Sequence, residues 1–400
     1  MSVVGVIGQG YVGLSLSVAA AQAGHRVIGF DTSVSVIESL ISLKSTITHI
    51  ADKEIKHIVS NKSYLPTSDP KLLGECEIIV IAVPTPLDVS NNPDLTFVKS
   101  AIQIIIENID KKILIINEST SFPGTLRNII AREIEEVSGI NHDYASAPER
   151  IDPGNITWTL TNTPRLVSGI SRDAAAKAKK FYESFTNNVV EVSTPEIAEM
   201  SKLLENTFRQ VNIALINQIS QICYELDIDV REVISAAETK PFGFMKFLPG
   251  AGVGGHCIPV DPMYLSYIAN TTKTKATLIS LSDDINRRMP DYKISCIEKT
   301  LNIDLIDLRV IVVGIAYKPN VTDIRESPAI SVLNLLREKG VQTQWHDSVV
   351  GVWNNETSSN LDDQDIAVVV TLHDGLDMEK LKKIKNVFDC TGKIPWAKQI

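Results

Sequence analysis

Val3-Val4-Gly5-Val6-Ile7-Gly8-Gln9-Gly10-Tyr11-Val12-Gly13 stands near the start of the chain, and its reading decides the fold. The unbroken apolar run from Val3 to Ile7 suits a strand of a parallel sheet covered on both faces, because such strands do not alternate. From Tyr11 the pattern becomes helical, runs through Ala19-Ala20-Ala21 and stops at Gly24; a second strand follows at Arg26 to Phe30. The result is a βαβ unit with Gly8-x-Gly10-x-x-Gly13 at its first turn. The first glycine permits the tight turn, the second lets backbone approach a pyrophosphate, and the third lets helix pack on strand, while the helix N-terminal amides face the anion. Asp31, at the end of the second strand, is placed to accept hydrogen bonds from an adenosine ribose. Its neighbours Thr32 and Ser33 supply no arginine for a 2′-phosphate, so the pattern predicts NAD rather than NADP.

Outward from this unit, strands at Ile78 to Val83 and Ile113 to Ile116 and a helix from Thr96 to Glu107 continue the doubly wound alternation. Between Glu196 and Leu226 there is neither Gly nor Pro. Ile197, Met200, Leu203, Leu204, Phe208, Val211, Leu215, Ile219 and Ile222 recur there at helical intervals. The spacing predicts one helix longer than the globular norm, linking domains. After the Gly- and Pro-rich stretch Pro241 to Pro262, Arg309 to Gly314 repeats the strand-then-glycine opening. A helix from Ser327 to Lys339 and strands at Val341 to Trp345 and Ile366 to Val370 follow. The expected fold is α/β: two Rossmann-like doubly wound domains, 1–190 and 296–400, joined by a central helical domain, 191–295, with one long helix.

Composition narrows the function. With 39 Lys plus Arg against 48 Asp plus Glu the chain carries a formal charge of −9, which argues against nucleic acid as a partner of the surface as a whole. At 44% apolar and 22% charged it has an ordinary globular composition, which excludes disorder and collagen-like repeats. No apolar run approaches the ~20 residues a membrane span needs, and no basic-then-apolar leader opens the sequence, so a cytoplasmic protein without a membrane partner is expected. Cys76, Cys223, Cys257, Cys296 and Cys390 form no Cys-x-x-Cys, and no histidine pair has metal spacing; neither a metal site nor a disulfide framework is predicted.

Two stretches invite chemistry. Gly252-Val253-Gly254-Gly255-His256-Cys257-Ile258-Pro259-Val260-Asp261-Pro262 sets one cysteine where glycines strip away side chains, so that a ligand can approach the sulfur closely. Its thiolate could attack a carbonyl, with Asp261 managing protons; the same residues are compatible with an inert thiol. On the long helix Lys202 and Asn206 are four apart and share a face that reaches Arg209, which suits oxyanion work or, equally, a salt-bridged lysine on a solvated stripe. At the second opening, Val313-Gly314-Ile315-Ala316-Tyr317-Lys318 lacks the second and third glycines, so a full dinucleotide should not fit there. Lys318 and Arg325 could meet a phosphate or belong to a solvated turn.

Taken together, the chain resembles the UDP-glucose/GDP-mannose dehydrogenase family from end to end. The resemblance rests on the Gly8 to Gly13 turn, Val83-Pro84-Thr85-Pro86, Glu118-Ser119-Thr120, Pro148-Glu149-Arg150, Lys202-Leu203-Leu204-Glu205-Asn206, the Gly252 to Pro262 loop, and Tyr317-Lys318 through Asp323-Ile324-Arg325-Glu326-Ser327-Pro328. It implies oxidation of the C6 hydroxyl of a UDP-sugar to a carboxylate with two NAD and one cysteine, Cys257. It also implies oxyanion stabilisation by Lys202 and Asn206, water positioning by Asp261 and Thr120, and assistance to hydrolysis by Glu149. Gly8, Gly10, Tyr11, Val12, Gly13, Asp31, Thr85 and Thr120 match the NAD side. Arg150, Ile151, Lys202, Asn206, Arg209, Phe247, Gly254, Lys318 and Arg325 match the substrate side. Glu149 to Asn155 and Thr239 to Phe244 look like the branch acting on UDP-N-acetylglucosamine or UDP-N-acetylgalactosamine. UDP-glucose members more often carry a glutamate where Pro153 stands and Lys-Asp where Val260-Asp261 stands, and UDP-N-acetylmannosamine members share the Gly-Gly-His-Cys string. A homodimer or higher homo-oligomer through the central helical domain is implied as well.

Overall fold

The computed structural model describes every residue of the chain except Thr48, Pro153, Gly154 and Ile156. Strand β1 (Val3–Ile7) lies inside the first sheet, with β2 (Arg26–Phe30) and β3 (Tyr64–Thr67) on one side. On the other side lie β4 (Ile78–Ile81), β5 (Leu114–Asn117), β6 (Asp143–Ser146), β7 (Arg165–Gly169) and β8 (Val189–Glu191). The order is β3-β2-β1-β4-β5-β6-β7-β8, parallel from β3 to β6, with β7 antiparallel to β6. Chain order reverses between β1 and β4, and the carboxyl ends of strands at such a switch point are where doubly wound sheets hold ligands. Val4 and Val6 pack with Leu14 and Leu16 in one apolar layer, whereas Ile7 joins Ile28, Ile79 and Ile81 in the other. Both faces are therefore covered, the physical reason the β1 sequence is apolar without alternation.

The helix Tyr11–Gln22 starts directly at the turn, as expected. Strand β4 ends at Ile81, two residues before the sequence pattern suggested, because Val83 leaves the ladder and donates its amide to Ser119 Oγ at 2.9 Å.

Two compact units divide the chain, residues 1–205 with 263–273 and residues 206–262 with 274–400. The second unit holds the helices Val230–Glu238 and Thr277–Leu301 and a five-stranded parallel sheet. Its strands are β9 (Arg309–Val313) and β10 (Gln342–His346), followed after the hairpin β11 (Val352–Trp353) and β12 (Glu356–Thr357) by β13 (Ile366–Val369), β14 (Asn386–Asp389) and β15 (Lys398–Gln399). The order is β10-β9-β13-β14-β15. Ser327 caps the helix Pro328–Glu338, its hydroxyl accepting from the Ala329 amide at 3.3 Å, with Pro328 in the first position where no amide is needed.

The long helix runs Pro195–Glu225, 31 residues. It buries Ala198, Leu203, Ala214 and Ile216, yet many of its other apolar side chains face outward. Ile197, Met200, Leu204, Phe208, Leu215 and Ile222, a 3.6-residue stripe, are all at least 42% exposed, whereas Glu199, Lys202, Gln210 and Asn217 are buried. Within the second unit Asn217 is paired: it donates to Asn286 Oδ1 at 2.9 Å and accepts from the Gly250 amide at 2.9 Å. Among the described residues no helix is long and apolar enough to cross a membrane, and no group of three His, Cys, Asp or Glu side chains could hold a metal ion.

Candidate active site

The first unit builds a dinucleotide cradle. Gly8 has φ +95° and donates its amide to the Phe30 carbonyl at 2.8 Å; a methyl group there would lie 2.4 Å from the Ala82 carbonyl oxygen. On Gly13 a methyl would come within 1.8 Å of the Gly8 carbonyl oxygen, so only glycine lets the helix sit this close to the turn. Gly10 is different. A methyl on it would meet nothing within 4 Å, so the space above it is where an incoming pyrophosphate would lie against backbone. Asp31 is half-buried and oriented from below: Oδ2 accepts the Gln9 amide at 2.7 Å and Oδ1 the Ser33 amide at 2.8 Å. Tyr11 stacks on His49 at 5.7 Å, and Val12 packs against the core. The glycine cradle, the open space over Gly10 and the pinned acid all fit NAD.

Gln9, which the sequence reading passes over as a variable position of the motif, is fully buried. Its amide nitrogen donates to the Val6 carbonyl at 2.9 Å, while its oxygen accepts from Tyr64 Oη at 2.7 Å and Ser17 Oγ at 3.2 Å. It braces the turn from inside. No local pattern announces this, because its partner Tyr64 lies 55 residues away.

Ser119 links the two loops that follow β4 and β5. Its hydroxyl accepts the Val83 amide and lies 2.9 Å from the Val83 carbonyl oxygen, which brings Val83-Pro84-Thr85-Pro86 beside Glu118-Ser119-Thr120. Thr85 is buried and Thr120 half-buried in these loops. Glu118 is locked in a buried cluster, with Arg165 Nη1 at 2.8 Å and Tyr182 Oη at 2.5 Å. Burial raises the Glu118 carboxyl against the opposing pull of Arg165. Glu199, on the long helix, accepts the amides of Gly124 at 2.7 Å and Leu126 at 2.9 Å and faces Ser121 Oγ at 3.3 Å. Burial pushes its carboxyl up to about 7 despite the amide donors. Glu199 thus ties the segment after Thr120 to the helix that carries Lys202, a second contribution the sequence reading did not anticipate.

Lys202 is 7% exposed, and its ammonium lies 3.8 Å from Glu149 Oε2, so these two candidates are paired. Arg150 donates to Glu205 and, at 3.0 Å, to the Pro164 carbonyl, with Ile151 half-buried next to it. Pro153 and Gly154, on which part of the substrate-branch reading rests, lie outside the described residues.

In the second unit the cysteine loop lies flat on the segment Tyr317 to Pro328. Methyl groups on Gly254 and Gly255 would come within 2.9 Å of the Glu326 carbonyl and 2.8 Å of the Tyr317 ring, and the Gly255 amide donates to the Arg325 carbonyl at 2.9 Å. The glycines are there to let two stretches of chain touch, which brings Cys257 into electrostatic range of Arg325. Asp323 holds the Arg325 guanidinium through both oxygens, with Nη2 at 2.6 Å from Oδ2. Cys257 is half-buried. Its carbonyl accepts the Asp261 amide at 2.9 Å, and the buried Asp261 carboxylate accepts from Asn206 Nδ2 at 2.5 Å. Phe247 meets Phe208 edge-on at 6.0 Å, Arg209 is exposed, and Lys318 is half-buried beyond β9. No disulfide joins the described cysteines.

Family models agree with this layout. Those of the UDP-glucose/GDP-mannose dehydrogenase family match the chain in three stretches: the NAD binding domain over 2–186, the central domain over 196–288 and the UDP binding domain over 311–394. A UDP-N-acetyl-D-mannosamine dehydrogenase of Pyrococcus horikoshii is 34% identical over 381 residues, covering 92% of this chain and 89% of its own. The chain belongs to the UDP-glucose/GDP-mannose dehydrogenase family. It is an NAD-dependent nucleotide-sugar 6-dehydrogenase. Among solved structures, the UDP-D-ManNAc dehydrogenase from Pyrococcus horikoshii superposes with a TM-score of 0.87 at 32% identity, covering 97% of this chain and 95% of its own. A UDP-glucose dehydrogenase from Pyrobaculum islandicum reaches a TM-score of 0.89 at 24% identity, covering 98% and 94%, and shows the same fold.

Proposed function

We propose that the chain oxidises the C6 hydroxyl of a UDP-N-acetylhexosamine to a carboxylate through a covalent bond to Cys257. The observation that carries this reading is the packing of the Cys257 loop on Tyr317 to Pro328, which sets one half-buried thiol beside Arg325 in a stretch stripped of side chains. A primary alcohol must lose two hydrides to become an acid, and the second loss needs a tetrahedral carbon that still bears hydrogen. Cys257 supplies it by adding to the C6 aldehyde; the thiohemiacetal is oxidised to a thioester, and water releases the acid. NAD, when bound, supplies the electron acceptor for each of the two oxidations.

The remaining roles follow from charge and placement. Lys202 and Asn206 stabilise the oxyanion at C6, with Lys202 also available for proton transfer. Asp261, oriented by Asn206, and Thr120 position the hydrolytic water, and Glu149 assists thioester hydrolysis. Arg150, Ile151, Arg209, Phe247, Gly254, Lys318 and Arg325 hold the nucleotide sugar. Residues 1–190 bind NAD, 296–400 bind the UDP group, and 191–295 form the homodimer interface through the exposed stripe of the long helix. The reaction belongs in the cytoplasm, where these cofactors and reduced thiols are kept.

Among hexosamines the sequence motifs favour the UDP-N-acetylglucosamine and UDP-N-acetylgalactosamine branch. Several relatives at 32–34% identity carry the name UDP-N-acetyl-D-mannosamine dehydrogenase, and that sugar is placed first on their account. NADH release measured against the three UDP-N-acetylhexosamines and UDP-glucose decides the substrate. The preferred sugar should yield two NADH per molecule in the wild type. Cys257→Ser should bind it and form no uronic acid; unimpaired acid formation by that variant refutes the covalent route.

A further inference from the structure

Lys293 belongs to no part of this chemistry. It sits on the helix Thr277–Leu301 with 1% of its surface exposed, and it makes no hydrogen bond or ion pair with any described residue. The adjacent Tyr292 ring lies 5.9 Å from the ammonium. A buried, unpaired ammonium is costly. Burial holds its pKa below the usual lysine value; the thiols of Cys390 and Cys296 oppose that shift, and Arg231 reinforces it. The thiols give no counter-charge at neutral pH, because burial pushes Cys390 up to about 12 and raises Cys296 too.

Arg231 is the second cation. Its guanidinium lies on the backbone of Gly392, where a methyl group would come within 1.9 Å of Nε, so glycine is what makes room for it. Its Nη2 is buried without a hydrogen-bond partner among the described residues, and the buried Tyr292 Oη faces the Cys296 thiol and no described nitrogen or oxygen. Lys293, Arg231 and Tyr292 all line one cavity of about 630 Å³ at the start of the helix Val230–Glu238. The nearby carboxylates do not answer them. Asp229 caps that helix through the Arg231 amide at 2.8 Å, Asp227 is exposed at the rim, and the buried Asp389 is engaged by Thr391 and Ile394. Two cations and a phenol thus converge on one cavity, whose lining also includes Asp227, Asp229, Gln399 and Ile400, none of which forms a described hydrogen bond or ion pair with the Lys293 ammonium or the Arg231 guanidinium.

We propose that this cavity binds the phosphate group of a small phosphorylated molecule, at a site separate from the residues assigned to NAD and to the nucleotide sugar. A guanidinium fork, an ammonium and a hydroxyl match the oxygens of a phosphate, and the adjacent helix N-terminus adds favourable potential. The volume exceeds that of inorganic phosphate and leaves room for an organic group beside the Tyr224 and Tyr292 rings, which meet edge-on at 6.3 Å.

The test titrates the full chain with inorganic phosphate and with ribose 5-phosphate, following heat by calorimetry and the thermal midpoint, against sodium chloride at equal ionic strength. Wild type should show saturable binding and a raised midpoint with at least one of the two; tighter binding of the ester identifies an organic ligand, and equal binding identifies phosphate itself. Lys293→Met should melt higher than wild type without ligand, since it removes an unpaired buried charge, and should lose the phosphate response. Arg231→Gln should bind about tenfold more weakly. Turnover of the UDP-sugar without added phosphate should persist in Lys293→Met, which separates this result from the reading of Cys257. The proposal is overturned if wild type shows no saturable binding, if sodium chloride reproduces the shift, or if Lys293→Met responds as wild type does.

Discussion

At Gly8 and at Gly314 the chain makes the same turn: φ is +95° in one and +81° in the other, and each glycine amide donates at 2.8 Å to the carbonyl ending the neighbouring strand, Phe30 or His346. Asp31 and Asp347 stand one residue further on, and each accepts the next amide of its turn, Gln9 at 2.7 Å and Ile315 at 2.8 Å. What lies above the shared frame differs. Over Gly10 there is open space, and the helix starts at Tyr11. In the second turn the corresponding residue is Ala316, fully buried, with its carbonyl taken by Thr371 Oγ1 at 2.7 Å. The helix there waits until Pro328, and the interposed loop carries Lys318 and Arg325. Asp31 is half-buried and turned toward where a ribose would sit, whereas Asp347 is sealed by His373 Nε2 at 3.0 Å and by the Val349 and Val350 amides at 2.8 Å each. One glycine suffices to build the turn; the second and third, and the early helix, make it a dinucleotide site.

The shared part of the frame is the harder to disturb. A methyl group on Gly314 would fall 1.9 Å from the Thr371 carbonyl oxygen at a positive φ, so Gly314→Ala should cost about 3 kcal/mol or more. Urea unfolding reads this directly. An unchanged midpoint would mean that the two turns do not share a geometric requirement for glycine.

Much of this frame can be read in the sequence because it is local. The apolar runs of β1 and β9, the glycines after them and the helix periodicity all sit within a few residues of one another. What escapes is set by contacts across the sheet. Gln9 is a variable position of the motif until Tyr64 closes on it, and nothing local in the sequence shows that Asp347 is held by His373, 26 residues later. The reversed strand β7 also escapes, since nothing local in Arg165–Gly169 encodes its direction. In the site, the glycine loop and the Lys202 helix were visible as motifs. The reason for the glycines, contact with Tyr317 to Pro328, was not, because it joins stretches some 60 residues apart in sequence.

A second variant sharpens the contrast between the two acids. The Nδ1 atom of His373 accepts the Asn320 amide at 2.9 Å, so the proton of a neutral ring is on Nε2 and points at Asp347. Burial would raise the Asp347 carboxyl, but this hydrogen bond and the Val350 and Val349 amides hold it below its ordinary value. A depressed carboxyl stabilises the fold fully above the unfolded pKa of ~3.9, and that stability is lost as pH falls through the folded value. Asp347→Asn turns an NH2 toward amides that need an acceptor and should cost about 2–3 kcal/mol at neutral pH. The deficit should shrink below about pH 4, where the wild type loses its own advantage. A deficit independent of pH would mean that shape rather than charge holds the second turn closed.

Gly10→Ala carries the smallest expected effect on the fold and discriminates best between the turns. Its backbone, φ −79° and ψ −161°, is open to any residue, and an added methyl group meets nothing within 4 Å. Loss of a glycine cap and gain from a stiffer unfolded chain nearly cancel, so stability should move by no more than about 0.5 kcal/mol. The methyl group would nonetheless occupy the space through which a pyrophosphate reaches the turn, and NAD affinity should fall about tenfold or more. Calorimetric titration of NAD beside a urea midpoint separates the two quantities. If stability and affinity fall together, the space over Gly10 serves the fold, and the first turn is no more a ligand cradle than the second; if only affinity falls, the difference between Gly10 and Ala316 is the difference between a site and a corner.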